Sequence, residues 1–378
     1  MSFRAINRAG NLLIISLVAH ICSGQEGAAV ALHNAQFSLA IPVLAASNDV
    51  LYVAYRSFNL LKKSSQLEVS AYDLKTKKEL QHSSIPVPDV HGARVSNGMY
   101  LSRDGKMLAY TEAHVPYLVL LLSTGNLSEV RRSTDLPFTT DDRLRVFVGF
   151  DKNGFLAFAS NRQTGQHFFR FNPTDLSLVS DTNTGGPHQA EPGTVVWSPD
   201  ERVTWVCPPL ILGTHVWKQY TESGQETGQE LHYRGGTPAG GIAVQDKGLL
   251  AFFGQIAEGE VISYNDHHSS ELKLKCAPTP YGASRDPEYA GAICTTQRDV
   301  LPEAGGDKIV TSEFLLLKTD GAAVVWSHKM DWVGISEGTG FNDWFQKGDP
   351  LIYRAGSKLW IVAPSKSPAL TIYEIDAR

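Results

Sequence analysis

Helical signal is nearly absent from this sequence: no amphipathic stretch runs beyond two turns, which excludes a helical bundle. Methionine and cysteine are scarce, at four residues each among 378. No Lys/Arg block interrupts the chain, and the formal net charge is −5. Nonspecific nucleic-acid binding is therefore not its main activity. A G-x-S-x-G elbow, an H-E-x-x-H pair, a Walker loop and a dinucleotide fingerprint are all missing, so the residues imply no cofactor. What the chain does hold is 33 glycines, 19 prolines and 42% hydrophobic residues. That is enough apolar material for a real core, in a turn-rich β protein.

The first two dozen residues have the pattern of an export signal. Arg4 and Arg8 give a basic start, Leu12–Ala19 (LLIISLVA) an apolar core, and Cys22-Ser23-Gly24 small residues before Gln25. The apolar run is far shorter than the roughly 20 residues a membrane anchor needs, so no membrane span is expected. Lipidation at Cys22 would place bulky Ile21 where a small residue belongs. The expectation is a leader over residues 1–24 and a secreted or periplasmic mature chain, whose charge falls to −7 because the leader holds two arginines and no acid.

Beyond the leader only Cys207, Cys276 and Cys294 remain. An oxidising compartment permits a Cys276–Cys294 bridge, which for a loop of that size would contribute about 3 kcal/mol. The other reading is that all three are small buried hydrophobes. No pair has zinc-type spacing, so no metal is assigned.

A repeat organises the rest. A polar turn followed by a short alternating run recurs seven times: VLYVAY after Asn48-Asp49, KMLAYT after Asp104-Gly105, FLAFAS after Asn153-Gly154, ERVTWV after Pro199-Asp200, LLAFFG after Asp246-Lys247-Gly248, KIVTS after Gly306-Asp307 and PLIYRA after Gly348-Asp349. Each is strand-like in period and too short for an ordinary helix. A second strand follows each time (LEVSAY, LVLLLS, HFFRFN, THVWKQY, EVISYN, FLLLKT, LWIVAP), and a further short strand closes the unit. The turn marks advance from Asp73 to Pro364 in six steps averaging about 48 residues.

Four short antiparallel strands per unit, repeated seven times, describe an all-β, seven-bladed β-propeller. No blade covers both its faces alone, so blades stack radially. The expected limits are a leader (1–24), an N-terminal extension (25–35) and one domain (36–378), with blades near 36–88, 89–137, 138–185, 186–234, 235–280, 281–330 and 331–378. Phe37–Leu44 would open the first blade and Leu370–Ile375 close the last.

The segment Ser102-Arg103-Asp104-Gly105-Lys106-Met107-Leu108-Ala109-Tyr110 resembles the S-x-D-G-K-x-L-A-Y turn and strand of secreted bacterial WD40-like, TolB-type propellers. Ser198-Pro199-Asp200 is a second copy, with Glu201-Arg202 in place of Gly-Lys. The resemblance implies architecture and no substrate, since such families range from scaffolds to enzymes. The Trp-Asp and Gly-His pairs of eukaryotic WD40 repeats are missing.

Local constellations add little. Ser198–Trp205 is similar to a sialidase Asp-box, but it is a single copy with Arg202 in the Gly position. Asp266-His267-His268 falls in a hairpin of the fifth unit, where neighbouring side chains diverge. Gly235-Gly236 and Gly240-Gly241 read as an interblade connection, and Asn126-Leu127-Ser128 is a glycosylation sequon. The remaining functional surface is the set of interblade loops, where polar groups from separate connections converge. The candidate ligand residues are His91, Arg94, Asp142, Arg143, His188, Arg234, Arg285 and Asp331, with Asp141, Glu191, Asp286 and His328 nearby. Four arginines among them favour a carboxylate-bearing ligand. The expected function is extracytoplasmic binding or scaffolding, with a protein, peptide or glycan as partner and no catalytic residues. The alternative is a hydrolase or lactonase-like enzyme with a metal in the central channel.

Overall fold

The computed structural model describes residues 27–32, 42–59, 63–89, 97–112, 118–134, 136, 145–151, 153–162, 165–183, 194–197, 203–207, 214–221, 225–234, 237–244, 248–255, 258–265, 268–281, 286, 288–301, 307–336, 351–364 and 369–376. A short strand, β1 (Ala28–Ala31), comes first. The first sheet is β2 (Val43–Ser47), β3 (Val50–Asn59), β4 (Ser64–Asp73) and β5 (Glu79–Pro86), and the second is β6 (Asn97–Leu101), β7 (Met107–Glu112), β8 (Leu118–Ser123) and β9 (Glu129–Ser133). The third is β10 (Arg145–Phe150), β11 (Leu156–Arg162), β12 (Gly165–Phe171) and β13 (Leu178–Asn183). The fourth is β14 (Thr194–Trp197), β15 (Val203–Cys207), β16 (Thr214–Thr221) and β17 (Glu226–Arg234). The fifth is β18 (Thr237–Val244), β19 (Gly248–Gln255), β20 (Glu258–Asn265) and β21 (His268–Leu274). The sixth is β22 (Ala277–Tyr281), β23 (Tyr289–Leu301), β24 (Asp307–Lys318) and β25 (Val324–Ser336). In the seventh, β26 (Leu351–Ala355), β27 (Lys358–Pro364) and β28 (Ala369–Asp376) are completed by β1, which pairs antiparallel with β28 from Ala28↔Ile372 to Ala31↔Ala369.

Period-2 alternation makes each strand a two-sided contributor. Along β3, Tyr52 and Ala54 pack with second-sheet residues Leu108, Tyr110 and Leu120. Leu51, Val53 and Tyr55, on the opposite face, pack with Trp360, Val362, Leu370 and Ile372 of the seventh. Further clusters join the second sheet to the third, the fourth to the fifth, the fifth to the sixth and the sixth to the seventh. The junction of third and fourth falls largely outside the described residues. First strands of neighbouring sheets lie side by side, β2 between β6 and β26, and β18 between β14 and β22. This is radial stacking: sheets cover one another face to face, with their first strands inward.

The turns explain why the repeat is legible. In the second sheet Ser102 Oγ donates to Asp104 Oδ1 (2.7 Å), which also accepts the Lys106 amide (3.1 Å), while Gly105 sits at φ +72°. Asp gathers the amides and Gly supplies the left-handed backbone. A less visible device recurs between third and fourth strands. Lys77, Leu127, Leu176 and Ala322 all adopt positive φ, between 53° and 60°. Leu127, Leu176 and Ala322 thereby turn their side chains into the seam with the preceding sheet. Lys77 instead lays its ammonium 4.1 Å from the Trp360 ring centroid of the seventh sheet. Burial lowers the Lys77 pKa from its ordinary value.

The structure departs from the expected strands in three places. The segment expected as an N-terminal extension contributes β1, the outermost strand of the seventh sheet. Leu370–Ile375 is accordingly the third strand there, and the first sheet opens at Val43, with residues 37–40 outside the described set. In the sixth sheet KIVTS and FLLLKT, expected as two strands, are one strand, β24, and the true first strand is β22. Pro278 and Pro280 made β22 read as a connection, but a first strand is an edge strand that tolerates proline. The same reason hides β18, where Pro238 and Gly240-Gly241 lie in a bulged first strand and not in a loop.

Candidate functional site

The end of each sheet from which interblade connections leave was the expected functional face, and its described part is built on buried polar anchors. Arg56 shares the face of Tyr52 and Ala54 on β3, so it points at the second sheet. There its Nε and Nη2 donate to Glu112 Oε1 (3.0 Å) and Oε2 (2.6 Å), a two-pronged pair with both side chains 2% exposed. Tyr110 donates its hydroxyl to the same carboxylate (2.7 Å). The remaining Arg56 nitrogen, Nη1, donates to the Pro88 carbonyl (2.6 Å). Pro88 lies in the connection that leads to His91 and Arg94. Two further bonds stitch that connection down: the Val87 amide to the Ser65 carbonyl (3.2 Å), and the Ser65 amide to Asp89 Oδ1 (2.8 Å).

On the opposite face of the first sheet a second network crosses three strands. Buried Glu68 accepts from Ser57 Oγ (2.8 Å), and His82 Nε2 lies 3.2 Å from its other oxygen. His82 Nδ1 meets Ser70 Oγ at 3.0 Å. Burial pushes the neighbouring Tyr55 phenol up, and the Glu68 charge adds to this.

Other connections have comparable anchors. The Tyr233 hydroxyl donates to Glu260 across the fourth and fifth sheets, and its ring stacks on Phe253 with centroids 3.7 Å apart. Burial first, then the Glu260 bond, raises the Tyr233 pKa. This contact fixes the end of β17 one residue before Arg234. In the third sheet His167 Nδ1 and Asp181 Oδ1 meet at 2.6 Å, near the end of β13 and ahead of the connection that carries His188.

Of the candidate ligand residues, His91, Arg94, Asp142, Arg143, His188 and Arg285 lie outside the described residues, as do Asp141 and Glu191. Arg234 ends β17 opposite Thr214, where the connection to the fifth sheet begins. Asp331 lies within β25 and not in a loop, because that strand extends to Ser336. His328 is on the same strand, its ring 5.6 Å from Trp326 and nearly parallel to it. Asp286 lies between first and second strands of the sixth sheet, so it belongs to the opposite end; there it accepts from Arg354 Nε (2.6 Å). Arg285 precedes it in that same connection. The structure joins Cys276 and Cys294 in a disulfide, with Cα atoms 5.4 Å apart, inside the cluster between fifth and sixth sheets.

The anchors themselves, Arg56, Glu112, Tyr233 and Glu260, were not singled out from the sequence. For Arg56 and Glu112 a weak signal is present, a single charge closing an otherwise apolar second strand, as in VLYVAYR and MLAYTE. Among the described residues no three His, Cys, Asp or Glu side chains group as a metal site, and no helix is long and apolar enough to cross a membrane.

No protein-family model matches the chain, and neither does any curated protein. Among solved structures it is similar to U3-55K, with a TM-score of 0.53 and 13% identity over 93% of this chain and 98% of that one. It is also similar to the β-propeller domain of the Trilobed protease from Pyrococcus furiosus, with a TM-score of 0.44 and 11% identity, covering 89% and 96%. At such identities the likeness concerns the fold alone. Together with the radially stacked four-stranded sheets, it makes this chain a β-propeller.

Proposed function

We propose that the chain is an exported binding propeller that presents its interblade connections, on the Arg56–Glu112 side, to a protein or peptide partner. The observation that carries this reading is the anchoring of those connections. Arg56 commits one of its nitrogens to the Pro88 carbonyl while the other two are locked by Glu112. A bound guanidinium in a buried pair holds the root of the loop at a fixed height, and a rigid root lowers the ordering cost of recognition. Tyr233–Glu260 does the same one residue ahead of Arg234. The seven sheets are read as seven blades of one ring, and the leader pattern at residues 1–24 supports export.

A photo-cross-linking residue placed at position 91 or 94, compared with one at position 104 on the opposite face, tests this reading in source cells. Cross-links to one recurrent protein from 91 or 94, without the same product from 104, are expected. Equal products from both faces would remove the loop face from the proposal. One tightly held divalent ion per purified chain would replace it with the hydrolase reading. Sequencing the mature N-terminus tests export separately, with Gln25 as the expected first residue.

A further inference from the structure

The seventh sheet is the one described sheet whose outermost strand has no turn tying it to its neighbour. In the other six, the fourth strand follows the third directly in the chain. β1 comes from the other end of the sequence, and among the described residues its covalent tether runs through residues 32–42 to β2. It is short, four residues of sequence AAVA. Val30 and Leu32 are its buried side chains, while Ala29 and Ala31 face solvent. Beyond its backbone ladder with β28 it is held by Val30 and Leu32 in the seam with the first sheet and by the Tyr72 hydroxyl, which donates to the Ala31 carbonyl (3.4 Å); a matching strand from another copy reproduces all three.

We propose that β1 is an exchangeable closing strand, and that the outer edge of β28 accepts the same segment from a second copy of this chain, giving a strand-swapped dimer with both rings closed. Tether length allows it. Eleven residues span up to about 36–40 Å when extended. Crossing a four-stranded sheet from outer to inner strand needs only about 14 Å at ordinary strand spacing. The spare reach lets β1 leave its own β28 and meet another. The partner is specified because the edge reads sequence. A Cβ on Gly27 would collide with Thr371 Cγ2 and Tyr373 Cε1, so glycine is required where the strand enters. On the other face of the strand, alternation demands apolar residues at 30 and 32, which pack with Leu51, Tyr72, Leu370 and Ile372. The segment Gly27–Leu32 satisfies both demands, so the best available occupant is another copy of itself. Reciprocal exchange between two chains closes with twofold symmetry and leaves no edge open.

The test uses the register pair Ala29↔Thr371. Two full-length chains are prepared, one Ala29→Cys and one Thr371→Cys, both also Cys22→Ser and Cys207→Ser. They are mixed at high concentration and oxidised. The expected product has the mass of two chains, with a 29–371 bond identified by peptide mass mapping. A control mixture of Ala29→Cys with Leu80→Cys, an exposed position on the first sheet, is expected to give no such product. Adding Gly27→Val to the Ala29→Cys chain should abolish it. The double variant Ala29→Cys/Thr371→Cys should close within one chain and lose the ability to cross-link to others. If that double variant closes but the mixture of singles gives no 29–371 bond, exchange does not occur and the proposal is overturned. Hydrogen exchange on the unaltered chain is an independent measurement: the Val30–Leu32 amides should exchange faster than those of β27, and equal protection would also overturn it.

Discussion

Arg56 and Glu112 stand on second strands of adjacent sheets and meet as a two-pronged ion pair, closed from water on both sides. The pair does two jobs at once. It locks the first sheet to the second, and it leaves one guanidinium nitrogen for the Pro88 carbonyl, where the connection to the second sheet sets out. Packing and loop placement are therefore coupled through a single side chain.

Breaking that coupling from the acid side should be severe. Glu112→Ala takes the two-pronged carboxylate away from buried Arg56, and removing one partner of a buried pair costs about 3–5 kcal/mol. It also removes the carboxylate that the Tyr110 hydroxyl donates to. Replacing both partners with methionine should recover much of the stability, because no charge is then buried. It should not recover loop placement. Denaturant unfolding measures the first effect, and proteolysis between positions 88 and 97 measures the second. A double variant as unstable as Glu112→Ala would show that the cost is steric.

The positive-φ turn residues make a second expectation. Leu127 is fully buried in the seam of the first and second sheets, despite its left-handed backbone. Leu127→Ala should cost about 2–4 kcal/mol through the cavity it leaves. Leu127→Gly loses the same contacts but relieves the backbone, so it should be no worse than alanine, against the usual order elsewhere. Equilibrium unfolding of the two variants side by side decides it.

How much of this was legible follows from which forces act locally. Turn chemistry and two-residue alternation are local, so Asp104-Gly105 and MLAYT announced a turn and a strand from the sequence alone. First strands with proline, such as β18 and β22, did not announce themselves, because their place at an inner edge is a property of the whole ring. The closing role of AAVA was hidden for the same reason: four small residues are neutral until β28 lies beside them. For the candidate site, polar residues in connections were readable as polar. Whether they sit at a sheet end, as Arg234 does, or inside a strand, as Asp331 does, depends on strand lengths that composition does not encode.

The disulfide gives a third expectation. Cys276 and Cys294 are both buried between the fifth and sixth sheets. Reduction, or the Cys276→Ala/Cys294→Ala variant, should lower stability by about 2–4 kcal/mol, as loss of a bridge over a short loop does. Unfolding with and without reductant measures it. In the double variant the reductant should have no further effect; a remaining shift would implicate another cysteine.

The last expectation concerns acid. Asp73, half-buried at the end of β4, and the exposed turn residues Asp104 and Asp175 are each held below the usual carboxylate range by hydrogen bonds. The Thr76 amide acts first on Asp73, the Ser102 hydroxyl on Asp104 and the Ser177 hydroxyl on Asp175. A carboxylate with a lowered folded pKa binds fewer protons folded than unfolded, so stability rises with pH through that range. The contribution is fully present above about pH 4, the ordinary range, and is lost as pH falls through the lowered values. The second sheet shows how to remove the dependence. There Asn126 Oδ1 accepts from the Ser128 amide (3.1 Å) and hydroxyl (2.7 Å), matching the bonds of Asp175 to Ser177 (2.9 and 2.7 Å). Asp175→Asn should therefore keep its turn at neutral pH and make the acid limb of stability shallower. Unfolding midpoints between pH 2 and 6, compared with the unaltered chain, measure the change. A limb of unchanged slope would mean that these turns take no part in acid unfolding.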